Sequence, residues 1–231
     1  ARLINVKSVL NQLIYLFSFF LLMTGFWFWH PPWVVVSVLV CGVFWWLWAL
    51  IWMASFQKAG MESDKPVWFK LIAGYFVLLP SWVGLTLIHQ APHRGIELVF
   101  LFLLLVWAAD TGGYFAGRFW GKKGLAPRLS PKKTREGMYG GFVLAIVVSL
   151  LGLWFWRFPY SVWGQFVLLV IIAVFHSIIG DLFESMIKRY AGVKDSGAIL
   201  PGHGGVLDRI DSLTAALPVF ALGCLILGVI Q

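Results

Sequence analysis

Uncharged, apolar stretches occupy residues 8–29, 33–57, 71–92, 137–156, 158–180 and 212–231. Each is long enough to cross about 30 Å of hydrocarbon as a helix. A further apolar run, 96–119, qualifies if Asp110 is accepted inside it, at a cost of roughly 2.5–3.5 kcal/mol for a carboxylate at a helix centre. The pattern therefore predicts an all-α fold, a polytopic membrane protein with a bundle of about seven transmembrane helices and short loops. Turn chemistry at Pro31-Pro32, at Pro92 and Gly95, and at Phe158-Pro159 makes successive helices antiparallel neighbours. The chain divides into N-terminal spans over 1–95 and a region over 96–231 with four spans and two basic loops.

Composition agrees with this reading. Of the 231 residues, 60% are apolar or aromatic and 12% charged, with fourteen Trp and twenty Phe, and the mean hydropathy is +0.85. These values exclude a disordered chain and an ordinary water-soluble domain. Cys41 and Cys224 both lie in apolar runs without CxxC spacing, so neither a disulfide framework nor a thiolate metal site is indicated. The first residues, Ala1-Arg2, are not followed by a short apolar region with a cleavage site, and the chain reads as the continuation of a longer one.

Placing the N-terminus in the cytoplasm puts sixteen of the eighteen Lys and Arg on that side and leaves Arg94 and Arg157 outside, as the positive-inside rule requires. The net charge of +8 then sits on cytoplasmic loops, where it attracts anionic headgroups and anionic substrates. Nucleic acid is a poor partner for a chain with no basic soluble module. Compactness points to a bacterial inner membrane.

The acids are more informative than the bases. Asp110, Asp181, Glu184, Asp208 and Asp211 fall within, or at the cytoplasmic ends of, three expected helices. Residues 181, 184, 185 and 188 share a helical face, and Asp208 and Asp211 are three apart at the start of the last span. Converging carboxylates in a partly desolvated place need protonation, Lys or Arg partners, or divalent cations. Oxygen ligands favour magnesium, with manganese an option, over zinc, because His203 is the only nitrogen ligand nearby. The plain alternative is a set of interfacial caps and ion pairs with Lys188, Arg189 and Arg209.

Two loops add phosphate chemistry. Residues 192–209 carry Gly202, Gly204 and Gly205 around His203, flanked by Lys188, Arg189, Lys194 and Arg209. Glycines allow backbone amides close to phosphate oxygens, and the cations could neutralise a polyphosphate, although a flexible turn would also use glycine. Residues 118–135 hold seven Lys or Arg. Lys122, Lys123 and Arg128 can be topology signals, whereas Ser130, Lys132, Lys133 and Thr134 form a denser cluster suited to phosphate contact.

Three blocks then carry a family resemblance. The first is Ser185-Met186-Ile187-Lys188-Arg189, four residues, Lys194-Asp195-Ser196-Gly197, then Leu200-Pro201-Gly202-His203-Gly204-Gly205-Val206-Leu207-Asp208-Arg209-Ile210-Asp211. The second is Ser130-Pro131-Lys132-Lys133-Thr134-Arg135-Glu136-Gly137 followed by Gly140-Gly141. The third is Asp110-Thr111-Gly112-Gly113-Tyr114 with Gly117-Arg118, where Gly113 stands in place of a frequent Ala. From Asp110 to the C-terminus the chain resembles the phosphatidate cytidylyltransferase (CDP-diacylglycerol synthase) family. Upstream of about Glu97 only generic membrane helices are visible.

The resemblance implies magnesium-dependent transfer of CMP from CTP to phosphatidic acid, releasing pyrophosphate. Asp181, Asp208 and Asp211 are the expected holders of one or two ions, with Asp110 and Glu184 as further ligands or orienting groups. Lys188 and Arg209 are expected to act on phosphates with them. Ser130, Lys132, Lys133, Thr134, Arg189, Lys194, His203, Gly204 and Gly205 are the expected substrate contacts. His203 could equally fix the glycine loop. Expected partners are CTP, phosphatidic acid, membrane lipids and, as an option, a second copy in a homo-oligomer. Two other readings stay open: an ion-coupled transporter with an intramembrane acid relay, which lacks its inverted repeat here, and a CTP-dependent lipid kinase.

Overall fold

The structure, a computed structural model, describes residues 8–197 and 204–230. Among these, seven helices are long and apolar enough to cross a membrane: α1 (Val9–Phe28), α2 (Pro32–Ala59), α3 (Val67–His89), α4 (Gly95–Trp120), α5 (Arg135–Phe155), α6 (Trp163–Tyr190) and α7 (Leu207–Ile226). The expected seven spans are all present, Asp110 included. The chain is a helical membrane protein.

Two boundaries differ from the hydrophobic pattern. α6 starts at Trp163 because Arg157, with φ of 54°, closes α5 and Pro159 precedes a short 3-10 turn. It then runs past the apolar stretch to Tyr190 and carries Asp181, Glu184 and Lys188 on continuous helix. α7 begins at Leu207, so Asp208 lies in its first turn and Asp211 one turn on.

The basic segment 118–135, read as a loop, contains a small antiparallel hairpin, β1 (Gly124–Ala126) and β2 (Ser130–Thr134), paired Gly124 with Thr134 and Ala126 with Ser130. Its three and five residues are too short for a periodicity signal. Thr134 ends β2 and caps α5, its hydroxyl oxygen accepting the Gly137 N–H at 3.1 Å. Glu136 ties the hairpin's approach down by accepting the Lys122 and Lys123 amides at 3.0 and 3.2 Å.

Packing relies on small residues, because lipid supplies no hydrophobic drive between helices. α4 and α5 meet along facing glycines: a Cβ at Gly141 would stand 2.7 Å from the Ala109 carbonyl oxygen, and one at Gly137 equally close to that of Gly113. At Gly180, an added Cβ would come within 3.0 Å of the Ala215 Cβ and 3.1 Å of the Asp211 carbonyl carbon, so glycine lets α7 lie directly on α6. In α7, Pro218 cannot donate to the Thr214 carbonyl. Ser81 of α3 brings a donor there, its Oγ lying 2.6 Å from Thr214 O and the same distance from Val77 O in its own helix, so one hydroxyl serves both carbonyls. Exposed Trp29, Trp33, Trp154 and Tyr160 cluster at the α1–α2 and α5–α6 connections, the placement of an interfacial aromatic belt.

Candidate active site

The acids converge at the other end of the bundle, where α4 and α6 finish and α7 begins. Gly180 sets this up by bringing the Asp211 turn against α6. Asp110 lies within electrostatic reach of Asp181, Asp211 and Lys133. Asp211 and Glu184 line one pocket. One Glu184 oxygen, Oε1, is buried and has no hydrogen-bond donor among the described residues.

Lysines stand among these acids. Lys133, from β2, pairs with Asp181. Lys188 bridges Glu184 at 2.7 Å and Asp208 at 2.8 Å, joining α6 to α7. The other Asp208 oxygen accepts the Ser196 amide and hydroxyl, both at 2.8 Å, and the Gly205 amide at 2.7 Å. Asp208 thus gathers the two ends of the glycine-containing loop onto the start of α7, and the Gly205 amide, one of those expected to face phosphate, faces this carboxylate instead. Gly204, at φ of +82°, makes the turn that aims the Gly205 amide inward.

Two hollows flank α6. A cleft of about 420 Å³ between α4, α5, β2 and α6 takes in Asp110, Asp181, Lys132, Lys133 and Thr134. Tyr114 and Arg118 also line it, the Arg118 guanidinium donating to the Tyr114 hydroxyl at 2.8 Å. A smaller pocket of about 160 Å³ on the opposite side takes in Glu184 and Asp211 with Tyr15, Trp46 and Lys70 of the N-terminal helices. The expected single acidic stripe on α6 is therefore divided, Asp181 to one hollow and Glu184 to the other.

Arg189 near the end of α6, Arg209 in the first turn of α7 and Lys194 between the two helices are exposed. Ser130 opens β2 opposite Ala126. His203, with Gly202, falls outside the described residues. Lys70, Tyr15, Trp46 and Ser196 were not anticipated as site residues. Nothing local marks Lys70 and Tyr15, which sit at the starts of apolar spans and read as ordinary interfacial residues.

The donor set suits a hard divalent cation. Every candidate ligand is a carboxylate oxygen, and Glu184 Oε1, which shares a pocket with Asp211 and has no hydrogen-bond donor among the described residues, is an oxygen open to a cation. Among the described residues, no three acids point at one centre as they stand. Lys133 and Lys188 hold Asp181 and Asp208 by ion pairs instead.

Fold and site define a helical membrane protein that brings carboxylates, lysines and a polar cleft together at one end of its bundle, equipment suited to handling phosphates. The chain belongs to the cytidylyltransferase family, whose sequence profile matches residues 1–227. It is 41% identical to a phosphatidate cytidylyltransferase of Pseudomonas aeruginosa, over 96% of this chain and 80% of that protein. A phosphatidate cytidylyltransferase of Haemophilus influenzae is 42% identical over 80% of this chain and 67% of its own length. The match includes the three N-terminal helices, which carry no motif legible by eye.

Proposed function

We propose that this protein transfers CMP from CTP to phosphatidic acid, yielding CDP-diacylglycerol and pyrophosphate, at the cytoplasmic face of a bacterial inner membrane. The observation that carries this reading is the similarity to enzymes named for that reaction over nearly the whole chain. The gathering of Asp110, Asp181, Glu184 and Asp211 beside Lys133 and Lys188 supports it with suitable chemistry. The cytoplasmic assignment rests on the distribution of Lys and Arg among the loops.

The nucleophile is a phosphate-monoester oxygen of the lipid, already ionised near neutral pH, so no serine, cysteine or strong base is required. Positioning and charge neutralisation remain as the protein's task. Asp181, Asp208 and Asp211 are the proposed ligands of one or two magnesium ions, with Asp110 and Glu184 beside them. For Asp208 this means that Lys188 gives up Oδ1. Bound magnesium would supply Lewis-acid stabilisation of charge on the transferring phosphate. Lys133 and Lys188, on leaving their carboxylates, are placed to turn to phosphate oxygens. Lys132 and Arg118 add positive charge to the cleft.

Purified protein given CTP labelled at the α-phosphate, phosphatidic acid and magnesium should form a lipid carrying the label, and a chelator should stop it. A label that enters lipid only from the γ-position would mean a lipid kinase instead. Absence of any labelled lipid would remove the enzymatic reading and favour transport.

A further inference from the structure

Half of the smaller pocket's lining comes from α1, α2 and α3, which lie outside the three motif blocks, and it has features of a binding site in its own right. Trp46 is 1% exposed, yet among the described residues its Nε1 has no acceptor. A buried donor without a partner is costly and calls for a ligand able to accept from it. Lys70, 7% exposed, is the cation in the pocket lining, and its ammonium is 2.8 Å from Asp64.

The pocket is also graded. Lys70 lies in the first turn of α3, whereas Val77 and Leu78, which line the same hollow, lie up to about 12 Å deeper along that helix. One end is therefore ionic and the other apolar. Its volume of about 160 Å³ is below the roughly 300 Å³ at which sites for whole small molecules begin. It can enclose only one end of a larger molecule. The nearby wall is α1, which buries no residue and is held by Tyr15 donating to Leu71 O at 3.0 Å and by Ser18 against Tyr75 at 2.5 Å.

We propose that this pocket receives the head end of the lipid substrate, with phosphate drawn to Lys70, an ester oxygen accepting from Trp46 Nε1, and the acyl chains leaving past α1 into the bilayer. The 420 Å³ cleft on the other side of α6 then belongs to the nucleotide. This assignment rests on the transferase reading and adds to it that the two substrates reach the acids from opposite faces of α6. It gives the N-terminal helices a role in lipid selection.

Two measurements test it. Trp46→Phe keeps the ring and removes the donor; Lys70→Met removes the charge, and Lys70→Arg restores it. In mixed micelles Trp46→Phe and Lys70→Met should raise KM for phosphatidic acid by about tenfold with KM for CTP unchanged, and Lys70→Arg should recover most of the loss. A raised KM for CTP instead, or no change in either KM, would overturn the proposal. Independently of turnover, phosphatidic acid bearing a photoreactive group beside its ester should label peptides of α1, α2 or α3 in the wild-type protein. Labelling confined to α4 and α5 would reverse the assignment of the two hollows. If the wild type forms no CDP-diacylglycerol but the label still maps to α1–α3, the transferase reading fails and the lipid site stands.

Discussion

Asp208 and Asp211 are separated by one helical turn, yet their surroundings give them different work. Asp208 is engaged through both oxygens, with Lys188 on one and Ser196 and Gly205 on the other. Asp211 faces the acids Asp181 and Glu184. Both Asp208→Asn and Asp211→Asn should reduce turnover to background in protein that remains folded in detergent, since each swap removes charge at nearly constant volume. They should differ in a second assay. Asp208→Asn weakens the ties on the glycine loop, and trypsin should cut faster at Lys194, whereas Asp211→Asn should leave that rate unchanged. Equal cleavage rates would show that Asp208 does not hold the loop. The presence of these acids was legible from residue type and position. Their partners were not, since Lys188–Asp208 spans 20 residues and Lys133–Asp181 joins a hairpin to a helix.

Between elements, glycines decide how near the helices come. Gly180 lies where α7 crosses α6, with Ala215 and the Asp211 backbone against it. Gly180→Ala should push the helices apart, destabilise the protein by about 1–3 kcal/mol and lower turnover by displacing Asp211. Gly164, in the same helix, has nothing among the described residues within 4 Å of an added Cβ. Gly164→Ala should keep full activity and equal or higher thermal stability. A Gly180→Ala protein as active and as stable as wild type would remove the close α6–α7 approach from the account. Gly112, Gly113, Ala116 and Gly117 suit α4 to a close approach to some neighbour, and the facing glycines Gly137, Gly140 and Gly141 make that neighbour α5. The hairpin was not expected, because strands of three and five residues are held by pairing and by the Glu136 and Thr134 caps more than by any pattern of their own.

For the whole molecule, orientation has a direct test. With Cys41 and Cys224 replaced by Ala, a cysteine introduced at Arg157 should react with a membrane-impermeant maleimide on intact cells. One introduced at Lys122 should react only after the membrane is opened. The reverse result would place the acids and the basic hairpin outside, away from nucleotide. The core runs through both halves of the chain, from Val35 and Leu39 in α2 to Phe220 and Cys224 in α7, and a second aromatic group joins Trp46 and Trp52 of α2 to Phe183 and Tyr190 of α6. Of the N-terminal helices, α2 and α3 are thus packed directly on those that carry the acids.

The number of spans, the presence of an intramembrane acid and the family motifs were determined by the sequence alone. A bilayer interior leaves a chain of this kind few options but to satisfy its backbone within each helix, so length and polarity of a segment suffice to identify it. The hairpin, the division of one acidic stripe between two hollows, the cap that Asp208 places on the glycine loop and the arrival of Lys70 and Trp46 beside Glu184 were decided by tertiary structure. Each depends on which helix faces meet and at what distance, and that is set by side-chain volumes at crossings between segments far apart in the chain.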